Sequence, residues 1–274
     1  MIEIPKSYNY ISAFLTFACN FKCHYCINKY NGLYRYKEMN GADWTEAFNR
    51  IGTRKDLPIT ITGGEPTLHR NFFDFVTRVN TKVYMDLLTN GKFDTDKFIK
   101  HIPPSLFKRN APYASIRFSY HPRYTNIVKL LRKAIRLQRK NYSVGIWGVG
   151  DTLENKINQK FCKLFGIDFR LKEYLDKTHG TYKYPKALDG KRKNCLCKPS
   201  EMLIAPDGRL FRCHYDLYHG VGSYGHILDD KVVVPDKFLP CNSYGFCNPC
   251  DIKSKFDRYQ RKGHCAVTIK EIDG

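Results

Sequence analysis

Short apolar runs alternate along the chain with longer stretches in which apolar residues recur every three or four positions. That is the rhythm of repeated strand–helix units. The short runs predict strands at Ile11–Phe17, Pro58–Thr62, Val83–Leu88, Ala114–Tyr120, Ser143–Val149 and Ile167–Leu171. The longer period predicts helices at Asp43–Arg54, Asn71–Val79, Thr95–His101, Asn126–Arg139 and Leu153–Phe165. Strands and helices in strict alternation imply an α/β fold, a parallel sheet curved into a partial (β/α)6 barrel over residues 1–177. In such folds the chemistry gathers at the C-terminal ends of the strands.

The alternation stops near Leu175. Residues 178–194 are polar, basic and broken by Gly and Pro, as a linker is. Residues 195–274 then read as a small cysteine-rich α+β domain closing the barrel mouth. Within it Met202–Ala205 and Arg209–Cys213 flank Pro206-Asp207-Gly208, a strong hairpin signal.

Composition narrows the class. With 274 residues, 42% hydrophobic and 14% aromatic, the chain can build a large core, which argues against general disorder. No run approaches the ~18–20 apolar residues of a membrane helix, and the N-terminus lacks a secretory signal, so a cytoplasmic protein is expected. The formal charge of +20 favours an anionic partner without choosing among nucleic acid, a phosphorylated metabolite and an acidic protein. Much of it lies in residues 129–140. There Leu130, Leu131, Ala134, Ile135 and Leu137 form one face of a helix, with Lys129, Arg132, Lys133, Arg136, Arg139 and Lys140 expected on a solvated outer face.

Eleven cysteines in a chain of this length, without a signal, read as metal ligands rather than a disulfide scaffold. Only Cys162, inside a helical pattern, reads as plain core. Cys19, Cys23 and Cys26 share the loop after the first strand in the spacing C-x3-C-x2-C, with Tyr25 before the last. Three thiolates are one short of a closed site; they are half a zinc site, buried apolar residues, or three ligands of an iron–sulfur cube with one iron open. His24, next to Cys23, is badly placed to be a fourth zinc ligand from the same loop.

This spacing resembles the signature of radical S-adenosylmethionine (SAM) enzymes. The resemblance implies a [4Fe–4S] cluster on Cys19, Cys23 and Cys26 whose open iron chelates the amino and carboxylate groups of SAM. Gly63-Gly64-Glu65-Pro66, one strand–helix unit later, is similar to the family motif that meets the SAM amino group. Backbone carbonyls and Glu65 can accept from an ammonium. Thr89-Asn90-Gly91 at the third strand end resembles a turn common in these enzymes, and Ser119 at the fourth is the implied contact for ribose or carboxylate. The small residues of Val144–Gly150 are expected to let adenine approach, with Trp147 either there or in the core. Arg170, on the sixth strand, is read either as a carboxylate or phosphate contact or as an ordinary exposed arginine.

Cys197-x10-Gly208-x4-Cys213 resembles the opening of the SPASM domain, an auxiliary-cluster module whose shorter relative is the twitch domain. The continuation departs from it: Cys241-x5-Cys247-x2-Cys250 and then Cys265, with Phe238 where a cysteine would stand. Two groupings follow. In one, Cys197, Cys213, Cys247 and Cys250 hold one auxiliary [4Fe–4S] cluster. In the other, Cys195, Cys197, Cys213 and Cys250 hold one cluster, and Cys241, Cys247 and Cys265 a second. A structural zinc site is the alternative.

The resemblance implies reductive cleavage of SAM, hydrogen abstraction from substrate, and an electron donor such as flavodoxin or ferredoxin. The chain starts almost at its first strand, so a separate leader-peptide-binding domain is not expected. Together with the charge, this ranks an anionic sugar- or nucleotide-type metabolite first and a ribosomally made peptide second. RNA comes third, since no RNA-binding module is recognisable. A non-catalytic zinc- and nucleic-acid-binding protein is the remaining class, and it leaves Gly63–Pro66 and the strand–helix order unexplained.

Overall fold

The computed structural model describes residues 1–26, 28, 35–107, 111–172, 193–244 and 268–272. The expected alternation is present as β1 (Tyr10–Thr16), α1 (Gly41–Asn49), β2 (Ile59–Gly63), α2 (Phe72–Arg78), β3 (Met85–Thr89), α3 (Thr95–His101), β4 (Ile116–Tyr120), α4 (Ile127–Arg139), β5 (Val144–Val149), α5 (Leu153–Leu164) and β6 (Asp168–Lys172). Caps set the helix starts. Asn40, Asp94, Asn126 and Thr152 each accept a backbone N–H from the first turn that follows. The first helix stops at Asn49, short of the expected Arg54, because the chain turns there to bridge Ile51 to Ile2.

Strands β7 (Lys193–Lys198), β8 (Glu201–Ile204) and β9 (Leu210–Phe211), helix α6 (His214–His219), β10 (Leu239–Tyr244) and β11 (Thr268–Glu271) follow. The sequence reading sets everything from 195 onward apart from the barrel. In the structure the sheet continues: its order is β6-β5-β4-β3-β2-β1-β8-β9, and β8 runs parallel to β1 with Tyr10 opposite Glu201. Gly208 carries the tight turn to β9 with a φ of 84°, in the left-handed region. Strands β10, β7 and β11 form a separate antiparallel sheet, which takes in Lys193 and Asn194 from the expected linker.

Alternate strand residues serve two faces. Ile11, Ala13, Ile59, Ile61, Leu87 and Ile116 pack into the main core beneath the helices. Helix α4 contributes buried Leu130, Leu131, Ala134 and Leu137 to it, each leucine worth about 1.5–3 kcal/mol of burial. Its outer face is basic as expected except at Lys133, which is half-buried and donates to the carbonyls of Gly91 (2.7 Å) and Phe93.

The face turned away from the helices is polar at its centre. Arg117 and Asp86 form an ion pair there at 2.7 Å with 1% and 0% of their side chains exposed. The Arg117 guanidinium also lies 5.2 Å from the Tyr113 ring centroid and 5.9 Å from that of Trp147. Trp147 and Cys162 are fully buried. Among the described residues no helix is long and apolar enough to cross a membrane.

Candidate active site

The loop after β1 is built to lie flat against the end of β2. The Thr16 hydroxyl accepts from Ala18 N at 2.9 Å and starts the turn. Gly64 N then donates to Thr16 O (2.7 Å) and Glu65 N to Ala18 O (2.8 Å). A Cβ on Gly63 would stand 2.1 Å from Thr16 O, and one on Gly64 2.2 Å from Ala18 O. These glycines are therefore required by backbone-to-backbone packing against the cysteine loop, which also leaves the Gly63 carbonyl to accept from Asn28 Nδ2 at 3.2 Å. Pro66 is buried and opens a short 3-10 turn, Pro66–Leu68.

Glu65 is the hub of the arrangement. Its side chain is fully buried. Oε1 accepts from Thr67 N (3.2 Å), from the Thr67 hydroxyl (2.5 Å) and from the Thr89 hydroxyl (2.7 Å), while Oε2 accepts from Asn90 N (2.6 Å). Burial pushes its carboxyl upward, and these hydrogen bonds pull it back down. A carboxylate so engaged ties the ends of β2 and β3 together and has no face turned to a ligand. Thr89 is spent on the same contact.

Asn90 carries the tie on to the cysteines. Its Oδ1 accepts from Lys92 N at 2.8 Å, which fixes the amide orientation. Nδ2 then points at Asn20 Oδ1 (2.7 Å) and at Cys19 Sγ (3.9 Å). Phe21 N donates to the same sulfur at 3.4 Å. The other end of the loop is held by β4 and the turn that follows it. Tyr25 Oη is 2.7 Å from His121 Nδ1, Phe21 stacks on Tyr124 at 4.9 Å, and the Tyr124 hydroxyl donates to Lys22 O at 2.7 Å. Burial, with Lys172 nearby, drives His121 down to about 4, so the ring is neutral at physiological pH. At this strand end the sequence reading singled out Ser119 and passed over His121. Its place directly after β4, at the C-terminal rim, was the available signal.

The three thiols thus sit at the C-terminal rim, on a loop pinned from β2, β3 and β4. Cys19 is exposed, Cys26 intermediate and Cys23 buried. Burial, reinforced by Cys26 and Cys19, pushes Cys23 up to about 11. Among the described residues no three His, Cys, Asp or Glu side chains stand at the close spacing of a single-ion site. An iron–sulfur cube takes one thiolate per iron and spaces its thiolates more widely. Three sulfurs from one loop, with N–H groups aimed at one of them, fit such a cube with one iron left open.

The remaining expected positions divide. Ser119 lies on the same sheet face as Arg117, two residues nearer the rim, and is partly exposed. Arg170 is turned to the opposite strand ends, its guanidinium donating to Asp168 Oδ2 (2.7 Å) and Pro112 O (2.6 Å), because the Trp147 ring and the start of β4 offer it partners there. The room beside Gly145 and Gly148 is taken by the Trp147 and Phe169 rings, each 2.6 Å from where a Cβ would be, so those glycines serve internal packing. Of the later cysteines, Cys195 and Cys197 are buried and Cys213 and Cys241 are partly exposed. Cys247, Cys250 and Cys265 lie outside the described residues.

Residues 14–109 match the family model described as the Radical SAM superfamily. GTP 3',8-cyclase of Klebsiella pneumoniae subsp. pneumoniae is 34% identical over 82 residues, covering 27% of this chain and 23% of that protein. The GTP 3',8-cyclase of Haemophilus ducreyi is 31% identical over 88 residues, 28% of this chain and 24% of its own. The chain therefore matches about a quarter of the length of these curated relatives. Among solved structures, Streptococcus suis SuiB bound to precursor peptide SuiA superposes with a TM-score of 0.57 at 14% identity, over 81% of this chain and 63% of that one. Native anSMEcpe with bound AdoMet and Cp18Cys peptide gives 0.52 at 18% identity, over 80% and 77%. At these identities the structural likeness is one of fold.

Proposed function

We propose that this chain, whose residues 14–109 match the Radical SAM superfamily, is a radical SAM enzyme that abstracts hydrogen from an anionic small molecule of sugar or nucleotide type. Cys19, Cys23 and Cys26 would hold the [4Fe–4S] cluster. Cluster and SAM together supply a 5′-deoxyadenosyl radical when reduced. The chain's own part is positioning. Glu65 and Asn90 hold the cysteine loop in register with the strand ends, His121 fixes Tyr25, and Ser119 presents a hydroxyl on the face turned away from the helices. What supports the anionic substrate is the match of about a quarter of the chain to GTP 3',8-cyclases, whose name gives a nucleotide. The net charge of +20 agrees. An electron donor of flavodoxin or ferredoxin type completes the scheme, and an auxiliary-cluster module would be built around the small sheet of β7, β10 and β11.

The test is anaerobic reconstitution with iron and sulfide, reduction, and measurement of 5′-deoxyadenosine. Cys19→Ala with Cys23→Ala and Cys26→Ala should reduce SAM cleavage to background while leaving auxiliary iron in place. Nucleoside phosphates and nucleotide-linked sugars should stimulate cleavage more than peptides do. Stoichiometric zinc without iron would refute the radical reading, and stimulation by peptides alone would refute the substrate class.

Asn90 gives a second expected result. Hydrogen bonds to a cluster thiolate favour the reduced, more negative state. Asn90→Ala, which removes the Cys19 donor, should therefore make the cluster's reduction potential more negative in an EPR-monitored titration. An unchanged potential would show that this contact does not act on the cluster.

A further inference from the structure

Strand β7 is the middle strand of the small antiparallel sheet and carries Cys195 and Cys197 two positions apart. Alternate residues of a strand share a face, and both cysteines are buried, at 1% and 9% exposure. Strand β10 returns antiparallel along β7 with Cys241 directly opposite Cys195. Directly opposed residues of an antiparallel pair put their side chains on the same face, with Cβ atoms about 4.5–5.5 Å apart. Cys195, Cys197 and Cys241 accordingly pack into one cluster, with Ile269 of β11 beside them.

Cys213 caps α6, its Sγ accepting from Asp216 N at 3.5 Å, and its neighbour ties this point of the chain to β10. Arg212 donates to Pro240 O at 2.9 Å, so the residue before Cys213 is bonded to the residue before Cys241. The guanidinium is held by Asp216 Oδ2 at 3.0 Å and lies within electrostatic reach of Cys213, Cys241 and Cys197. A fixed cation near these sulfurs is what a set of thiolates needs for its charge.

We propose that Cys195, Cys197, Cys213 and Cys241 are the ligands of one auxiliary iron–sulfur centre. This deepens the reading of an auxiliary-cluster module around β7, β10 and β11 and rests on it. Neither grouping drawn from the sequence contains this set: one leaves Cys241 unused, and the other gives it to a second centre with Cys247 and Cys265. Spacing along the chain cannot show that β10 folds back onto β7, and the strand register does. Four thiolates make a closed site suited to electron transfer, with no open iron for substrate.

The experiment uses the full chain carrying Cys19→Ala, Cys23→Ala and Cys26→Ala, so that all remaining iron belongs to the auxiliary region. If this background holds no iron while the parent protein does, the auxiliary reading itself fails. Where iron is present, Cys241→Ser and Cys195→Ser should each remove about four irons per chain, the content of one cube. The double variant should lose no more than either single one, and the same reduced EPR signal should vanish in all three. Cys241→Asp, which can still ligate, should keep iron and shift that signal. Full iron retention in Cys241→Ser, an unshifted signal in Cys241→Asp, or a double variant losing twice what each single one loses would overturn the assignment. Cys162→Ser, outside the set, should lose none.

Discussion

Glu65→Ala should cost the protein about 3 kcal/mol or more of folding stability even before any cluster is loaded. The substitution leaves the buried N–H of Asn90 without an acceptor, at about 1–3 kcal/mol, and the part-buried N–H of Thr67 as well. The Thr67 and Thr89 hydroxyls lose theirs too, although they can rotate. Glu65→Gln should cost less: the hydroxyls can turn to accept from the new amide, but it cannot accept at both oxygen positions. Urea denaturation of the apoprotein measures the difference. The cluster should suffer in parallel, because Asn90 reaches Cys19 from a backbone that Glu65 fixes, so iron content after reconstitution should follow the same order. Equal stability of all three proteins would mean that Glu65 is not the tie described above.

Asp86→Ala should be comparably severe for a different reason. Removing one partner of a buried ion pair is strongly destabilising, at about 3–5 kcal/mol. Arg117 has 1% of its side chain exposed and cannot reach water without disrupting the Tyr113 and Trp147 rings around it. Asp86→Leu combined with Arg117→Met should recover most of that loss, since a well-packed apolar pair of similar volume is often as stable as the ions it replaces. A double-mutant cycle on denaturation free energies separates the two effects. A double variant as unstable as Asp86→Ala would mean that the pair is needed for more than neutralising its own charges.

The barrel strands and helices were legible because each apolar run has one job, to face the helices or the strands beside it. Thr95–His101 was placed to the residue because Asp94 caps it and Ile102 leaves the helical conformation. The cysteine loop and Gly63–Pro66 were legible as motifs, but their physical division of labour was not. Nothing in the spacing of Glu65 says that four donors will converge on it from two strand ends. The same holds for Arg170, whose partners Asp168 and Pro112 decide its direction. Lys133 looked like one more solvated lysine of α4 until the carbonyls of Gly91 and Phe93 appeared beneath it. The hairpin at Pro206–Gly208 was visible in the sequence, whereas its docking on β1 depends on a register that only three dimensions supply.

That docking also bears on how the chain reaches its native state. Strand β1 acquires β2 early, but its other edge stays unpaired until Glu201–Ile204 has been made, and an unpaired parallel edge is a site for wrong partners. At translation rates of roughly 5–20 residues per second, the wait is on the order of ten to forty seconds. Pairing across so long a stretch of chain is also a slow step in refolding, because loop closure must precede the contacts that stabilise it. The cysteine loop, which grows directly out of β1, therefore leaves the ribosome well before the strand beneath it is enclosed on both sides.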